Sequence, residues 1–383
     1  MKVLLLSAYA AQSHVHWQRC LQLMFNQWQW TVLSLPPRHF SWRVRGNPLY
    51  WAVAERERLE QDYDLLVATS MVDLATLRGL VPTLASLPAV VYFHENQFEY
   101  PQHGRQHSLL EAQMVSLYSA MAADRTLFNS AYNLQSFLAG CAALLDRLPD
   151  RVPPGVIPAL RAKSSVLPVP VDPVGMVEGE VAAGPRDDWP GLPSNIAQRP
   201  LRLLWAGRFE HDKGGEGLLQ VLLQLEATGP AYELAVIGQQ FRSSPQVFAQ
   251  IETDFSHRLV QFGFVDSTPA YRALLRAADV VLSTALHEFQ GVAVLEAVAS
   301  GCLPAVPNRL AYPEIYPARF CYASHPDDPA LEARAAAQLV GELAVQLQAG
   351  AVQAPDVTAY TSHRLQPQYR EVLLAVAGRQ DSQ

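Results

Sequence analysis

The chain has 383 residues, of which 49% are hydrophobic and 17% are charged. This length predicts two domains, and the hydrophobic fraction excludes a wholly disordered chain. The formal net charge of −7 argues against nucleic-acid binding driven by overall charge, but it leaves room for a local basic patch. The apolar runs are far shorter than the roughly 20 residues of a membrane span or the h-region of a signal peptide. We therefore expect a cytoplasmic protein with no membrane association.

Cysteine and histidine spacing supports neither a disulfide framework nor a zinc site. The four cysteines are widely separated, and no C-x-x-C pair occurs. His103 and His107 are spaced as on one helix face, but no third ligand lies nearby, so a polar loop is favoured over a metal site. We expect no metal cofactor.

Short apolar runs alternate with helical stretches along the whole chain. The runs are continuously apolar, which is typical of parallel strands covered on both faces. Two such series predict α/β domains with doubly wound parallel sheets. The first predicted series is 2–6, 31–35, 64–68, 89–93, 125–128 and 165–168, and the second is 201–206, 232–237, 260–262, 280–283 and 303–306.

Segments rich in proline and glycine, which interrupt helices and strands, predict the domain organisation of the chain. Residues 1–174 form a first Rossmann-like domain and residues 201–357 a second, because the segment 175–200 is too rich in proline, glycine and acidic residues to continue a helix or a central strand. A helix is predicted at 331–348. A last helix, at about 358–383, places Tyr360, Leu365, Tyr369 and Leu373 on one face, and we expect it to pack back on the first domain. Ligands should bind in a cleft between the domains, at loops that follow strands.

The segment 283–297 is the strongest candidate site. A predicted strand ends at Ser283, a short loop carries Glu288, and a helix begins near Gly291, where free backbone N–H groups favour phosphate. Glu296 follows within an apolar helix. Two carboxylates beside an anion-binding helix end suit a ligand with a sugar, a diphosphate and a ribose. The alternatives are that Glu288 only caps the helix and that Glu296 faces solvent. The predicted ligand-binding residues here are Glu288, Phe289, Gln290, Gly291, Val292 and Glu296.

A second segment, 203–214, has the same order of strand, glycine and cation. Arg208 and Lys213 lie between a strand end and a helix start, where two cations can neutralise a diphosphate leaving group. Surface cations are common, but Lys213 is one of only three lysines in the chain. A Walker P-loop is absent.

Together these motifs resemble the donor half of retaining glycosyltransferases of family 4, which have the GT-B fold of two Rossmann-like domains facing a central cleft. The resemblance implies a nucleotide-sugar donor and no metal. It implies that Arg208 and Lys213 bind the donor diphosphate, that Glu288 contacts the transferred sugar, and that Glu296 contacts the ribose. It also implies a front-face mechanism, in which a leaving-group oxygen assists deprotonation of the acceptor.

The first half of the chain carries a more particular set of segments, at 7–14, 35–46, 92–101, 128–130 and 167–172. In this order they are similar to the tRNA-queuosine α-mannosyltransferase family. The resemblance implies transfer of mannose from GDP-mannose to the queuosine at the wobble position of tRNA-Asp. It places His94 in the active site near the transferred sugar. It also implies that Ser13 and His14 bind the donor, from the loop after the first strand, where related enzymes commonly have a glycine-rich loop.

The segment 38–45 interleaves arginines with aromatic residues, a combination that holds unstacked RNA by phosphate contact and base stacking. The predicted acceptor-binding residues are Arg38, Trp42, Arg43, Arg45, Glu95 and Asn96. Alternatively, Trp42 packs into the core of a strand-to-helix loop, and His94 is a core histidine satisfied by the backbone. Two other functions stay open: a family 4 enzyme with a different donor and a lipid, glycan or small-molecule acceptor, and a binding module without turnover. The oligomeric state is not predicted.

Overall fold

A computed structural model describes residues 1–99, 109–172, 189, 199–241 and 244–378. The chain divides into two compact units, the first formed by the described residues of Met1–Pro170 and Ser362–Gln383, the second by those of Val171–Thr361. Of the predicted linker 175–200, only Trp189, Arg199 and Pro200 are described. The pair His103 and His107 also lies outside the described residues.

The first unit is an α/β layer structure. Its strands are β1 (Lys2–Ser7), β2 (Gln29–Ser34), β3 (Leu65–Thr69), β4 (Ala89–Phe93), β5 (Arg125–Phe128) and β6 (Ser164–Val166). Its helices are α1 (Gln12–Met24), α2 (Phe40–Ala54), α3 (Arg56–Leu59), α4 (Leu74–Leu80), α5 (Leu110–Ala122), α6 (Ala131–Leu145), α7 (Val156–Ala162) and, from the end of the chain, α14 (Ser362–Val376).

All strand pairs of the first sheet are parallel, in the order β2-β1-β3-β4-β5-β6. Every residue of β3 and β4 is buried, because helices cover both faces of a parallel sheet. The carboxyl ends of β1, β3 and β4 therefore lie side by side at one edge, where a ligand site is expected in an open α/β sheet.

The second unit repeats this architecture. Its strands are β7 (Leu201–Ala206), β8 (Tyr232–Ile237), β9 (Leu259–Gly263), β10 (Val280–Leu282), β11 (Leu303–Pro307) and β12 (Cys321–Tyr322). Its helices are α8 (Gly215–Thr228), α9 (Gln246–Asp254), α10 (Thr268–Ala277), α11 (Val292–Ala299), α12 (Tyr312–Ile315) and α13 (Pro329–Gln348). The sheet is parallel throughout, in the order β12-β11-β10-β7-β8-β9, so β7 and β10 are central neighbours.

The eleven predicted strands are all present, with small differences at their ends. The two-residue strand β12 was not predicted, since it is too short to give a pattern. The last helix was predicted too long: it begins at Ser362 because Thr358–Tyr360 forms a separate 3₁₀ turn in the second unit. Tyr360 therefore does not share the helix face of Leu365, Tyr369 and Leu373, which are buried in the first unit.

Candidate active site

The two donor-side loops predicted from the sequence meet at the carboxyl ends of β7 and β10. Gly214 has a φ of +71°, and a Cβ there would lie 1.9 Å from the backbone oxygen of Thr284. The hydroxyl of Thr284 donates a 2.8 Å hydrogen bond to the backbone oxygen of Gly214. Only glycine allows this approach, so Gly214 fixes the segment carrying Lys213 against the segment carrying Glu288.

Lys213 is held between two carboxylates. Its Nζ lies 3.0 Å from Glu288 Oε2 and 3.2 Å from Asp212 Oδ2, and it donates to the backbone oxygen of His287 at 3.2 Å. Burial alone would lower the pKa of Lys213, but Glu288 and Asp212 raise this pKa above its ordinary value. The amine is therefore a fixed positive charge.

Arg208 is anchored by acidic residues of its own loop. Its guanidinium lies 2.9 Å from Glu210 Oε2 and 3.9 Å from Asp212 Oδ2. Burial opposes the charge on Asp212, yet Lys213 and Arg208 lower its pKa below the ordinary value. The backbone oxygen of Asp212 also accepts from the backbone N–H groups of residues 286 and 287. Asp212 was missed in the sequence, although its place between two cations was a usable signal.

Glu288 combines an ion pair with contacts to the start of α11. It accepts hydrogen bonds from the backbone N–H groups of Phe289, at 3.1 Å, and of Gly291. Burial would raise the pKa of Glu288, but Lys213 lowers it, and the net direction is downward. Gly291 precedes α11 with a φ of +74°, and a Cβ there would lie 2.8 Å from the ring of Tyr312. Glu288 therefore binds backbone N–H groups just before α11 and also pairs with Lys213.

Glu296 lies inside α11, half-buried, where its Oε2 accepts a 2.7 Å hydrogen bond from the hydroxyl of Tyr271 on α10. The hydrogen bond with Tyr271 disfavours the solvent-facing alternative for Glu296. Tyr271 was not identified from the sequence. The side chains of Phe289 and Gln290 are buried, and Val292 is half-buried at the first turn of α11.

His94 follows β4 and packs in an aromatic cluster. Its ring stacks on His14 of α1 with centroids 4.1 Å apart and meets the edge of Trp17 at 5.0 Å. Burial, followed by the neighbouring His14 and His16, lowers the pKa of His94 well below its ordinary value, so the ring is neutral near pH 7. Its Nε2 has no hydrogen-bond partner among the described residues. One ring nitrogen of His94 thus stays unsatisfied among the described residues, which disfavours the alternative of a core histidine satisfied by the backbone.

Helix α14 supports this cluster from the far end of the chain. The indole N–H of Trp17 donates to the hydroxyl of Tyr369 at 2.9 Å, and that hydroxyl donates to the backbone oxygen of Pro168 at 2.9 Å. Trp17 also stacks on Tyr92, with centroids 4.2 Å apart. Tyr369 thus fixes the indole that borders His94.

The neighbours of His94 and His14 differ in what they offer. Glu95 is partly exposed, and its Oε2 lies 3.6 Å from Nε2 of His14. Asn96 is fully buried, and its amide nitrogen donates to the backbone oxygen and Oδ1 of Asn133 and to the hydroxyl of Ser136. Because this carboxamide is used inside the unit, we do not propose Asn96 as an acceptor ligand. Ser13 is half-buried in the first turn of α1.

The arginine-rich segment is mostly helical. Helix α2 begins at Phe40, and Trp42 is 60% exposed, so its packing into the core is wrong. The indole lies over Gly46, where a Cβ would be 2.4 Å from a ring atom. Arg45 pairs with Asp73 at 2.5 Å and with Glu111 at 3.3 Å. Arg38 is exposed, and Arg43 is half-buried.

No group of three or more histidine, cysteine, aspartate or glutamate side chains able to hold a metal occurs within the described ranges. All four cysteines are free thiols. Among the helices that the structure describes, none has the length and apolar character needed to cross a membrane.

Two parallel six-stranded sheets, with paired cations and carboxylates at the strand ends of the second, define a glycosyltransferase of the GT-B class. Residues 200–342 match the family model described as glycosyl transferases group 1, which confirms the predicted enzyme class. Residues 2–171 match the model described as tRNA-queuosine alpha-mannosyltransferase N-terminal. A Drosophila melanogaster protein named tRNA-queuosine alpha-mannosyltransferase is 33% identical over 328 residues, covering 84% of this chain and 83% of the relative. The chain belongs to the tRNA-queuosine alpha-mannosyltransferase family.

Solved structures confirm the predicted fold class. A sucrose-phosphate synthase from Thermosynechococcus elongatus aligns with a TM-score of 0.66 at 14% identity, covering 98% of this chain and 100% of that one. The Anabaena protein HepE, solved with UDP and glucose, aligns with a TM-score of 0.62 at 15% identity and the same coverage. At these identities the likeness concerns the fold alone.

Proposed function

We propose that this protein transfers mannose from GDP-mannose to the queuosine at the wobble position of tRNA-Asp, in the cytoplasm. The observation that carries the proposal is the family match of residues 2–171. The match of the second unit is to a general model of glycosyl transfer, whereas that of the first unit is to a family named for one acceptor. The donor, the tRNA species and the roles of the site residues belong to the same proposal.

The donor is bound by the second unit. Arg208 and Lys213 neutralise the diphosphate, supported by the backbone N–H groups at the start of α11. The ion pairs with Glu210, Asp212 and Glu288 hold both cations in place before the donor arrives, so little reorganisation is needed on binding. Within these roles Phe289, Gln290, Gly291 and Val292 form the helix end.

The carboxylates orient the two sugars of the donor. Glu288 accepts from hydroxyls of mannose, and Glu296, held by Tyr271, accepts from the ribose. In the transfer the bond between C1 of mannose and the diphosphate oxygen breaks, and C1 bonds to an acceptor hydroxyl. The proton of that hydroxyl passes to the departing diphosphate, so no metal and no protein nucleophile is required.

The acceptor is bound by the first unit. His94, as a neutral imidazole stacked on His14, contacts the transferred sugar, Ser13 and His14 bind the donor, and Glu95 binds the acceptor. Trp42, with one face against Gly46 and high exposure, offers a stacking surface for an unpaired base. Arg38 and Arg43 offer phosphate contacts, whereas Arg45 is already paired with Asp73 and Glu111.

The test is incubation of the purified protein with GDP-[¹⁴C]mannose and tRNA-Asp that either contains or lacks queuosine. We expect label only in the queuosine-containing tRNA. Equal labelling of the two tRNAs, or none, contradicts the acceptor assignment, and faster labelling from UDP-mannose contradicts the donor assignment. Transfer to a lipid or glycan fraction without transfer to tRNA would support the other family 4 function.

A further inference from the structure

Two buried hydroxyl groups lie side by side at the carboxyl edge of the first sheet. Ser7 is the last residue of β1, and Thr69 is the last residue of β3. Strands β1 and β3 pair in parallel with Leu6 opposite Ala68, so the next residues are again neighbours across the ladder, with side chains on the same face. Ser7 is 2% exposed and Thr69 is 1% exposed.

The face that carries these hydroxyls is the face of the histidine cluster. Thr69 pairs with Tyr92 of β4, and in-register neighbours point to the same side of a sheet. The ring of Tyr92 contacts both Trp17 and His94, with centroids 4.2 and 4.7 Å away. Ser7 and Thr69 therefore face α1, the helix that carries His14.

Three polar atoms of this face have no hydrogen-bond partner in the part of the first unit that the structure describes. Ser7 Oγ, Thr69 Oγ1 and His94 Nε2 are buried and have no hydrogen bond to any described residue. Buried polar atoms in folded proteins are nearly always hydrogen-bonded, so each exception calls for an explanation. Both ring nitrogens of His14, which stacks on His94, are also buried without a hydrogen-bond partner among the described residues. Several such atoms on one face, at the edge where open α/β sheets bind ligands, point to a ligand group that satisfies Ser7, Thr69 and His94 together.

The chemistry of the cluster selects a neutral ligand. Hydroxyls and a neutral imidazole each donate and accept hydrogen bonds, as the hydroxyls of a ligand do. Glu95 lies 3.6 Å from His14, which stacks on His94, and its negative charge disfavours phosphate. This contrasts with the second unit, where Arg208 and Lys213 suit an anion.

We propose that Ser7, Thr69 and His94 form a binding site for a neutral vicinal diol. This inference rests on the proposed function, which offers two sources of such a group: the ring diol of the queuosine acceptor and the hydroxyls of the transferred mannose. The chemistry is common to both, and the first unit supplies all three side chains. Ser7 and Thr69 contact the diol and determine specificity.

The direct test uses ligand-observed NMR to measure the affinity of the full-length protein for cis-cyclopentane-1,2-diol. The informative pair of variants is Thr69→Val, which keeps the shape and removes the hydroxyl, and Thr69→Ser, which keeps the hydroxyl. We expect Thr69→Val and Ser7→Ala each to weaken binding about tenfold, and Thr69→Ser to bind like the unchanged protein. The matched control is Ser116→Ala, because Ser116 is equally buried but donates to the backbone oxygen of Ala112 in its own helix.

Transfer kinetics distinguish the two sources. A rise in KM for queuosine-containing tRNA alone assigns the site to the acceptor diol, and a rise in KM for GDP-mannose alone assigns it to mannose. The inference is overturned if Thr69→Val and Ser7→Ala, folded by circular dichroism, leave the diol affinity and both KM values unchanged. If the unchanged protein binds the diol through Thr69 but labels no tRNA, the proposed function fails while the diol site stands.

Discussion

Lys213→Met should separate the electrostatic role of Lys213 from its packing. Methionine keeps the length of the side chain but leaves Asp212 and Glu288 without their shared cation, which lies 3.2 and 3.0 Å from them. Breaking a buried pair by removing one partner costs about 3–5 kcal/mol. Since the side chains of Lys213 and Glu288 are 16% and 22% exposed, we expect the lower end, about 3 kcal/mol at neutral pH.

The pH dependence of this loss has a definite sign. In the unchanged protein Lys213 lowers the pKa of Glu288 and of Asp212, so their stabilisation is present above the unfolded pKa, about 4, and lost as pH falls through the folded pKa. In Lys213→Met the cation that lowers both pKa values is gone, while Arg208 still acts on Asp212 and the backbone N–H of Gly291 still acts on Glu288. Burial is then opposed less strongly and both pKa values rise relative to the unchanged protein, so the penalty is largest near pH 7 and shrinks as the carboxyls protonate. The gap in unfolding free energy should therefore narrow from pH 7 toward pH 4.

Urea unfolding at several pH values measures this gap, and calorimetric titration with GDP measures donor binding. Lys163→Met is the matched control, because Lys163 Nζ donates to the backbone oxygens of Met121 and Ala123, at 2.8 and 2.6 Å, and has no carboxylate within 4 Å among the residues that the structure describes. We expect transfer to fall roughly 100- to 1,000-fold in Lys213→Met and to stay unchanged in Lys163→Met. A gap that does not vary with pH, or equal losses of transfer in the two variants, would refute the reasoning.

Three further substitutions test single contacts. Tyr271→Phe removes the hydrogen bond to Glu296 and should raise the Kd for GDP about tenfold in calorimetry; an unchanged Kd would show that Glu296 does not need this support. Gly46→Ala places a methyl group against Trp42, so affinity for an anticodon stem-loop, followed by fluorescence anisotropy, should fall although alanine favours the helix; a gain would contradict the stacking role. Tyr369→Phe should lower the free energy of unfolding by about 1–3 kcal/mol and reduce kcat with an unchanged KM for the donor. A loss of stability with an unchanged kcat would show that α14 has only a structural role.

The sequence predicts the sheets well, because buried parallel strands leave continuous apolar runs between breaks rich in glycine and proline. It also predicts that the loops of Lys213 and Glu288 lie together, since carboxyl ends of parallel strands share one edge. Arg208, Lys213, Glu288 and Glu296 lie in such loops or directly behind them. The edge strand β12, with two residues, has no periodicity to detect.

The contacts between distant segments could not be predicted in this way. Asp212 is recognisable as a site residue only once Glu288 is seen to pair with the same Lys213. Tyr271 is recognisable only once its hydroxyl is seen to bond Glu296 on another helix. Likewise, Ser7 and Thr69 are ordinary strand residues until the register of β1 and β3 places them together. Each of these contacts depends on which helices and strands pack together, and the pattern of apolar and polar residues along the sequence does not specify this.

The ion pairs of Arg45 reduce the number of arginines that an acidic chain can offer to an RNA acceptor at this segment. The sequence offers three arginines as a basic patch against a net charge of −7, but Asp73 and Glu111 neutralise Arg45. Arg38 and Arg43 have no carboxylate within 4 Å among the described residues, so this patch offers two phosphate contacts. Each contact to a single strand adds about −0.7 to the slope of log K against log salt concentration, so removing both should reduce the slope by about 1.4.

The measurement compares the unchanged protein with Arg45→Ala and with the double variant of Arg38 and Arg43, using an anticodon stem-loop at several salt concentrations. We expect Arg45→Ala to leave the slope nearly unchanged, because its charge is already balanced in the free protein. If Arg45→Ala reduces the slope by about half as much as the double variant does, the ion pairs with Asp73 and Glu111 open on binding. RNA affinity would then depend more on the charge of Arg45, which is paired in the free protein, and less on stacking against Trp42.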